Sequence, residues 1–554
     1  MKEETKSLYA AIILSVLIIF GVNRFFAPKE MPSEIKETAT VPEVVKVEMP
    51  ETQNEIQKAL PVKEVLSRDE RIKITTPAVS GSIRLKGARF DFLNLNKYKE
   101  TLDENSKNVE LLMPAGTETP YFAEFGFLAQ NPKMVPDSSS LWVSNGANLT
   151  PETPVVLKFD NGSGLIFTRK ISIDENYLMT ISDSVLNNTG DAVEIYPYGR
   201  INRAYGSREK SRSVVHEGVT GVLDGSSKEI KLSEIKENKP KTFEAENAWL
   251  GFSDRYWFTA FILDGNAEKT ITLSNNGGGN YQTDYRGEAM RIAPYASKEV
   301  NVRFFAGAKE IKLLDQYAKN GIKKFDLAVD FGWYYFLTKP FFYILDFLYK
   351  LIGNMGWAIL LFAALLRLLM FPIANKSFES MSKMKKIQPK IIGLQNTYKN
   401  DKLLLQQKTM ELYKKEKINP ASGCLPMFIQ IPVFFSLYKV LNIAIEIRHA
   451  PFIGWIKDLS APDPLTISVW SHIPLPSILD IGVWPILMGL TMWLQQKLNP
   501  APANKDQAKM FAMLPFVFTL MLGHFASGLV IYWTLSNILS LIQQKTIMYK
   551  NGVK

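Results

Sequence analysis

Five apolar segments in the C-terminal half constrain the fold of this chain more than any other feature. They lie at about 354–374, 422–444, 481–498, 510–525 and 527–544. Each is close to the roughly 20 residues that a helix needs to cross a bilayer. A sixth apolar run, residues 8–22, follows two lysines near the N-terminus. We therefore predict six membrane spans, of which the last two form a tight helical hairpin.

The N-terminal run fits either a cleaved signal peptide or an uncleaved signal-anchor. A cleavage site needs small residues at −3 and −1, and before Pro28 the −3 position is Phe25. We favour a signal-anchor over residues 1–27. Residues 28–61 contain five Pro, seven Glu and four Lys and few large apolar side chains, which predicts a disordered linker.

Residues 62–330 have the pattern of an extracytoplasmic β domain. Short runs rich in β-branched and aromatic residues alternate with turn signals such as Asn161-Gly162 and Asp224-Gly225. The clearest runs are Val155–Phe159, Leu165–Ile173, Tyr177–Val185 and Ile271–Ser274. Many short strands with such turns predict an antiparallel sandwich. A short helix over Lys309–Tyr317 is expected to follow it.

Residues 331–353 are aromatic and apolar but carry three charges, Lys339, Asp346 and Lys350. This composition favours an interfacial amphipathic helix that lies on the bilayer over a span. Pro340 is expected to split the segment, because proline removes a helix hydrogen bond. The membrane-embedded core is then expected to extend from about residue 354 to residue 554.

Loop charges predict the orientation of the chain. The loop 375–419 holds eleven Lys against four acidic residues, whereas 445–480 holds two basic residues against four acidic ones. Because lysine-rich loops stay in the cytoplasm, we predict that both termini are cytoplasmic and that the β domain lies outside. Apolar residues spaced by three and four within 375–419 predict an antiparallel helical hairpin, kinked near Pro389. Its lysines either only fix the topology or contact an anionic surface, which would be lipid or ribosomal RNA.

The residue types argue against catalysis and metal binding. Cys424 is the only cysteine, so neither an intramolecular disulfide nor a multi-thiol metal site can form. The four His are far apart and lack metal-binding spacing. There is no phosphate-binding loop, dinucleotide fingerprint, nucleophile elbow or zinc signature. We predict no enzyme activity, no metal and no cofactor.

Arg367 is the most unusual residue, since it lies inside the apolar segment 354–374. An isolated arginine in hydrocarbon costs about 2.5–3.5 kcal/mol on the insertion scale. Its guanidinium either reaches the headgroups or faces a hydrated cavity and an anionic group, and we favour the cavity. Other spans carry Gln430 and, on one face of the last helix at i, i+4 and i+7, Trp533, Asn537 and Ser540. Together these side chains predict a polar-lined groove.

Several stretches resemble the YidC-type membrane protein insertases in their Gram-negative form. They are KMKKIQPKI (383–391), YKKEKINPASGCLPMFIQIPVFFSLY (413–438), HAPFIGWIKDLSAPDP (449–464), PILMGLTMWLQQKL (485–498) and FASGLVIYWTLSNILSLIQQ (525–544). The resemblance is specific across about 333–550. The N-terminal anchor, the linker and the external β domain agree with the family in arrangement.

The resemblance implies a multi-domain α + β protein and a function. The fold would be a polytopic helical bundle with a five-helix insertase core and a large periplasmic β super-sandwich. Such a protein would insert and fold proteins of the bacterial inner membrane, alone or with the Sec translocon. Implied partners are nascent membrane proteins, the translocon and its accessory subunits, the ribosome or targeting factors, and anionic lipid, but not DNA.

The resemblance also implies roles for residues. The family's groove arginine corresponds to Arg367, its next polar groove position to Gln430, and its substrate-contacting aromatic residue to Trp533, beside Tyr532. Asn537 and Ser540 complete the expected substrate groove. The expected basic surface of the cytoplasmic hairpin consists of Lys383, Lys385, Lys386, Lys390, Lys414, Lys415 and Lys417.

The residues alone leave two other functions open. One is a secondary transporter that binds an anionic solute at Arg367, although no paired half-sequences indicate inverted repeats. The other is an anchored extracytoplasmic carbohydrate-active protein, which would leave five spans and the basic hairpin without a role. Both remain alternatives to the insertase at this point.

Overall fold

The computed structural model describes residues 59–205, 215–237, 239–398, 401–419, 425–500 and 505–553. The predicted signal-anchor and the predicted linker as far as residue 58 lie outside the described residues. The described chain forms two compact units, and the division falls between Asp330 and Phe331. The two units are described separately below.

The first unit is a pair of large antiparallel sheets with a short helix, α1, at Val62–Leu66. Its described strands are β1 Arg71–Thr75, β2 Val79–Arg84, β3 Arg89–Lys99, β4 Asn108–Leu112, β5 Tyr121–Leu128, β6 Val143–Ser144, β7 Val155–Asp160, β8 Leu165–Ile173, β9 Leu178–Asn187, β10 Val193–Ala204, β11 Gly218–Leu223, β12 Ser226–Lys231, β13 Lys241–Ala245, β14 Ala248–Ser253, β15 Trp257–Leu263, β16 Lys269–Asn275, β17 Asn280–Arg286, β18 Met290–Ile292 and β19 Ser297–Ala308. One sheet has the order β1-β2-β3-β5-β10-β17-β16-β13, with β4 beside β3 and β18 beside β10. The other has the order β12-β11-β14-β15-β19-β9-β8-β7-β6.

Alternating burial explains why these segments form strands. Successive side chains of Leu165–Ile173 alternate between buried and partly exposed positions, as expected for a strand with one face on a core. Phenylalanines from both sheets meet in that core. The rings of Phe125 and Phe304 lie 5.6 Å apart in an edge-to-face arrangement, which aromatic quadrupoles favour. The prediction of an antiparallel sandwich is confirmed, as is the short helix after it, α2, at Ile311–Lys319.

Buried arginines in this unit are paired with carboxylates. Arg169 is fully buried and donates from Nε and Nη2 to the two carboxylate oxygens of Asp183 at 2.7 and 2.8 Å. Its Nη2 also donates to the Phe125 carbonyl oxygen at 2.7 Å. Arg200 contacts both Glu124 and Asp284, and both acids are also buried. Such pairing is what allows a charge to be removed from water.

The second unit is helical in its described part. Its helices are α3 Tyr335–Ile352, α4 Met355–Leu369, α5 Phe371–Lys386, α6 Gln388–Thr397, α7 Lys402–Lys415, α8 Leu425–Ile443, α9 Ile467–Ser471, α10 Val483–Leu498, α11 Lys505–Leu522 and α12 Ser527–Lys550. The last helix, α12, contacts α4, α5, α8 and α10 and has buried residues along most of its length. It is therefore the central element of this unit.

Two prolines act differently from each other. Pro340 was expected to split its segment, but α3 continues through it, so that expectation is wrong. Pro340 is the sixth residue of α3, so its missing N–H removes only one bond, to the carbonyl of Phe336. Pro372 lies in the first turn of α5, where a missing N–H costs nothing, and α4 and α5 meet there at an angle of 66°.

Within the described ranges, each helix taken singly is too short or not apolar enough to meet the criteria for a membrane span. The bent pair α4 and α5 meets them jointly, and shorter apolar helices occur at Phe428–Ile443 and Ala508–Leu522. The six spans stay a prediction.

The lysine-rich segment forms helices that pack against each other. Helix α5 ends at Lys386 and α6 begins at Gln388, with Pro389 in its first turn. Helix α7 then contacts α6. Met384, Ile387, Ile391 and Ile418 form the buried core of this hairpin.

Candidate functional site

Helix α4 places Arg367 in its last turn, just before the bend into α5. The helix begins with Asn354, whose side chain accepts a hydrogen bond from the Trp357 backbone N–H. It ends at Leu369, two residues after Arg367. The free carbonyl groups of a helix C-terminus carry partial negative charge, which stabilises a cation in the last turn. The helix end offsets part of the cost of placing this guanidinium among apolar residues.

Arg367 is half-buried and has no ion pair with any described residue. Its Nε and Nη2 atoms are buried without a hydrogen-bond partner among the described residues. The guanidinium carbon lies 5.7 Å from the centroid of the Phe378 ring, which is within range of a cation–π contact. Arg367 also lies close enough to Tyr532 for electrostatic interaction. Two strong donors are thus left free at the bend.

Polar side chains from three other helices accompany this arginine. Gln430 of α8 donates from Nε2 to the Tyr532 hydroxyl of α12 at 3.0 Å. Further along α12, Gln543 donates to the side-chain oxygen of Asn375 in α5 at 2.7 Å. Tyr532 and Gln543 are eleven residues apart and therefore share one face of α12. We call the set Arg367, Asn375, Gln430, Tyr532 and Gln543 the arginine face.

The other predicted residues of α12 lie on a second face, roughly 100° away. Trp533 is half-buried, with ring-centroid distances of 4.5 Å to Phe434 and 6.0 Å to Phe518. Asn537 donates to the Thr491 hydroxyl of α10 at 3.1 Å, and Ser540 donates to the carbonyl of its own helix. The structure therefore brings Arg367, Gln430 and Tyr532 to one region. On the other face it places Trp533 and Asn537 in interhelical contacts, and Ser540 bonds within α12.

Further buried polar atoms in these helices lack partners among the described residues. They are the hydroxyls of Ser382 and Ser436 and the side-chain carbonyl oxygens of Gln543 and Gln544. A buried polar group without a hydrogen bond costs about 1–3 kcal/mol. Water is the simplest way to avoid that cost, so these atoms suit a hydrated environment.

An apolar face of α8 lies next to the arginine face. Phe428, Ile431 and Phe435 are exposed and follow one another at spacings of three and four, so they share one side of the helix. Gln430 is the immediate neighbour of Ile431 in the chain. Polar and apolar surfaces therefore adjoin on one helix.

The basic hairpin carries more charge than its acids neutralise. Lys390 of α6 pairs with Glu416 at 2.7 Å across the hairpin, and this lysine lowers the pKa of the Glu416 carboxyl. Lys383 pairs with Glu379 at 3.4 Å along α5. The other five predicted lysines form no ion pair with a described residue; they are Lys385, Lys386, Lys414, Lys415 and Lys417. Their charge is available to an anionic surface.

The sequence analysis did not single out two parts of this site and one buried carboxylate elsewhere in the helical unit. Phe378 beneath Arg367 and the Gln543–Asn375 pair became visible only in the structure. Gln543 follows Tyr532 at helical spacing, so the periodicity could have identified it. The buried carboxylate is that of Asp463: it accepts from the Trp455 ring N–H at 2.9 Å and the Trp484 backbone N–H at 2.8 Å. The Trp484 contact ties a loop to the first turn of α10.

Over the part of the chain that the structure describes, no group of three or more His, Cys, Asp or Glu side chains could hold a metal ion. The arrangement at Arg367 consists of hydrogen-bond donors, amides and a phenol. It can bind and orient an anionic or polar chain by charge and hydrogen bonding.

Two family models and the named relatives indicate one family. Residues 71–344 match the model of the YidC periplasmic domain, and residues 347–553 match that of the 60Kd inner membrane protein. A membrane protein insertase YidC from Beijerinckia indica subsp. indica is 44% identical over 592 residues, which cover 100% of this chain and 97% of that protein. Another from Rickettsia bellii is 44% identical over 558 residues, covering 98% of this chain and 99% of that protein. A solved structure of an active YidC insertase matches with a TM-score of 0.36 at 16% identity, covering 86% of this chain and 92% of that one.

Proposed function

The chain belongs to the YidC family of membrane protein insertases, and from that premise we propose that it inserts proteins into the bacterial inner membrane. Neither the transporter nor the carbohydrate-active alternative has support among the relatives, which are curated as membrane protein insertases. We further propose the predicted topology: six spans, cytoplasmic termini, and a β unit in the periplasm. Nascent membrane proteins are its clients.

One observation carries the mechanism, namely the two unpartnered donors of Arg367. In a hydrated groove an acidic segment of a client can pair with this guanidinium without breaking an existing ion pair. Gln430 and Tyr532 offer the rest of the client's polar backbone further hydrogen-bonding groups. The client's polar tail thus crosses part of the membrane in contact with polar groups instead of hydrocarbon.

The exposed face of α8 accounts for the second half of the process. A client helix that leaves the arginine face meets Phe428, Ile431 and Phe435 and can move along them into lipid. The transfer of its apolar side chains from water drives this step, at about 25 cal/mol per Å² of apolar surface buried. No nucleotide is required. Trp533 stays a proposed client contact through the part of its indole that Phe434 and Phe518 leave open.

The basic hairpin is the proposed cytoplasmic contact. Its unpaired lysines fit an anionic surface such as the headgroups of acidic lipids or the ribosome. Cooperation with the Sec translocon and its accessory subunits, or with targeting factors, is part of the same proposal. Asn537 is proposed to hold α12 against α10 beside the client path, and Ser540 stays a proposed groove residue.

An insertion assay with two clients tests the role of Arg367. The purified protein in phospholipid vesicles receives a short client with two Asp in its translocated tail or a matched client with two Asn. We expect Arg367→Met to slow the acidic client about tenfold, which corresponds to about 1.4 kcal/mol, and the neutral client less than twofold. Arg367→Lys should retain most of the rate, because it keeps the charge. Equal slowing of both clients would show that Arg367 acts through structure and not through charge.

Site-specific photo-crosslinking tests the path. A crosslinker at position 430, 431 or 533 is compared with one at Val517, which is exposed on α11 away from the arginine face. With a stalled nascent membrane protein we expect strong adducts at 430 and 431, a weaker adduct at the half-buried 533, and none at 517. Absence of adducts at all three positions with several short clients would contradict the proposed path.

A further inference from the structure

The segment that includes the short helix α9 and precedes α10 has an unusual composition. Residues 464–479, which we call the outer loop, contain no Asp, Glu, Lys or Arg over sixteen positions. Five large apolar side chains of this loop are between 44% and 67% exposed: Val469, Trp470, Ile473, Ile478 and Leu479. Contiguous exposed apolar side chains on a protein usually mark a surface that something else covers.

The outer loop is tied to its neighbours through its polar groups. The Asp480 carboxylate accepts hydrogen bonds from the Ser468 backbone N–H at 2.8 Å and from the Ser468 and Thr466 hydroxyls. The Ile467 N–H donates to the Ile481 carbonyl oxygen at 3.0 Å, which closes the base of the loop. Because the polar groups are used in this way, the loop presents its apolar side chains outward in a defined arrangement.

A hydrogen bond connects the tip of the loop to the helix bundle. The His524 ring nitrogen Nε2 donates to the Ser477 carbonyl oxygen at 2.7 Å, just beyond the end of α11. Helix α10 begins only four residues after the loop, at Val483. The apolar surface of the loop is therefore close to the ends of both α10 and α11.

These two helices expose apolar side chains of the same kind. Ile486, Leu487 and Leu490 are exposed on α10, and Phe516 and Met521 on α11. In the proposed topology lipid covers those side chains, so the loop continues a lipid-facing surface at its outer end. Trp, Ser and Thr together with uncharged apolar residues suit the boundary between headgroups and acyl chains. A protein partner would be expected to meet a polar rim with charges, which the loop lacks.

We propose that the outer loop inserts into the interfacial region of the outer leaflet and anchors the outer ends of α10 and α11 there. The proposal rests on the membrane placement of α10 and α11 in the proposed function. It goes beyond that function by assigning a lipid contact to a segment outside the proposed membrane spans. Apart from the exposed His472 and Ser477, which suit the headgroup level, the surface left to be covered is apolar, and lipid covers it without a specific partner.

Spin-label accessibility on the full chain tests this assignment. Cys424 is the only cysteine, so Cys424→Ser gives a background for single labels at Ile473→Cys and Val469→Cys in phospholipid vesicles. Lys457→Cys, at an exposed position in the preceding loop, is the aqueous control, and Leu490→Cys on α10 is the lipid control. We expect the labels at 473 and 469 to collide more with oxygen than with a water-soluble nickel chelate, as at 490 and opposite to 457.

Each other outcome has one meaning. Labels at 473 and 469 that behave like 457 while 490 remains in lipid would overturn the loop proposal and leave the proposed function intact. Immobile labels that neither oxygen nor the nickel chelate reaches would show that a protein, either a second copy or another partner, covers the loop. That result would also overturn the loop proposal. Nickel access at 490 as well would contradict the membrane placement of α10 and hence the proposed function.

Discussion

Arg169 in the β unit and Arg367 in the helical unit are both withdrawn from water, but their surroundings differ. Arg169 has two charge-assisted hydrogen bonds to Asp183 and a third to a carbonyl oxygen. Arg367 has the face of Phe378 and the end of a helix, and two of its donors are unused. Arg169 also has one buried donor, Nη1, without a partner among the described residues, but Asp183 neutralises its charge. No described carboxylate neutralises Arg367, and the proposed function assigns its free donors to a client.

Strand register explains why Arg169 is paired with a carboxylate. Arg169 and Asp183 are directly opposite each other in the β8–β9 pairing, so every formed ladder brings the two charges together. Helix α4 has no comparable device, because the described residues around its last turn supply a phenylalanine ring and a tyrosine but no carboxylate. The comparison yields four predictions, of which the first has the largest expected effect on stability.

Asp183→Ala should destabilise the β unit by about 3–5 kcal/mol, because it leaves Arg169 buried and unpaired. Hydrogen exchange of the amides in Leu165–Ile173 in the full chain measures this change. The matched control is Glu64→Ala, which breaks the Arg68–Glu64 ion pair. About half of each of these side chains is exposed, so the control should lower the free energy of unfolding by less than about 0.5 kcal/mol. A loss below about 1 kcal/mol for Asp183→Ala would remove the basis of the comparison.

Raising the pH should destabilise the β unit through buried phenols. Burial raises the pKa of Tyr121 to about 12, from about 10 in the unfolded chain. The stability that comes from keeping this phenol protonated is complete below pH 10 and is lost as the pH rises through 12. For Tyr121 alone the loss is about 2–3 kcal/mol.

The measurement is urea unfolding at pH 9, 10, 11 and 12 for the wild-type chain and Tyr121→Phe. Since Phe cannot ionise, the variant should lose less stability than the wild type over this range. The same slope in both proteins would mean that Tyr121 is not the group that titrates. Tyr121 lies against Arg203, itself paired with Asp254, so the test also shows how strictly this core excludes an unpaired charge.

Asp463→Asn should cost about 1–2 kcal/mol in the helical unit. Asp463 is a buried carboxylate whose recorded partners are all N–H donors: the Trp455 ring and the backbones of Leu465 and Trp484. An amide replaces one acceptor oxygen with a donor, which leaves one of these N–H groups unsatisfied. Thermal unfolding in detergent measures the loss, with Glu379→Gln in the exposed pair with Lys383 as control. No difference between the two variants would mean that the carboxylate does not hold the start of α10.

Arg367→Met should have the smallest effect on stability, less than about 0.5 kcal/mol in the same unfolding experiment. The change removes two unpartnered donors and leaves no acid without its partner. A loss above about 1 kcal/mol would reveal a structural partner for Arg367 and would place it in the same class as Arg169. Together with slower insertion of acidic clients, an unchanged stability would separate the role of this arginine in binding from any role in folding.

The sequence predicted the parts of the fold that depend on short-range patterns. Alternation located the strand Leu165–Ile173 at its observed bounds. The spacing of apolar residues located the helical hairpin, and Pro389 located its kink. Pro340 was misjudged because its position within a helix decides how many hydrogen bonds proline removes, and helix boundaries are not visible in composition.

The candidate site shows where such patterns stop being informative. Tyr532 and Trp533 are neighbours in the chain, yet one lies on the Arg367 side and the other packs on Phe434 and Phe518. Which of the two faces the arginine depends on the rotation of α12, and contacts with α4, α5, α8 and α10 set that rotation. The bond from Asp463 to Trp484 spans 21 residues and likewise depends on tertiary packing.

The bend between α4 and α5 has a mechanical consequence. Helix α5 has 16 residues, so it is about 24 Å long, and the single residue Met370 joins it to α4. Phe378, near the middle of the helix, lies against the guanidinium of Arg367. From this geometry, a displacement of about 2 Å at the far end of α5 would turn the helix by about 5° and move Phe378 by about 1 Å. The distance between the lysine-rich end of α5 and Arg367 is thus bridged by one continuous helix, so a shift of that end would change the surroundings of the guanidinium.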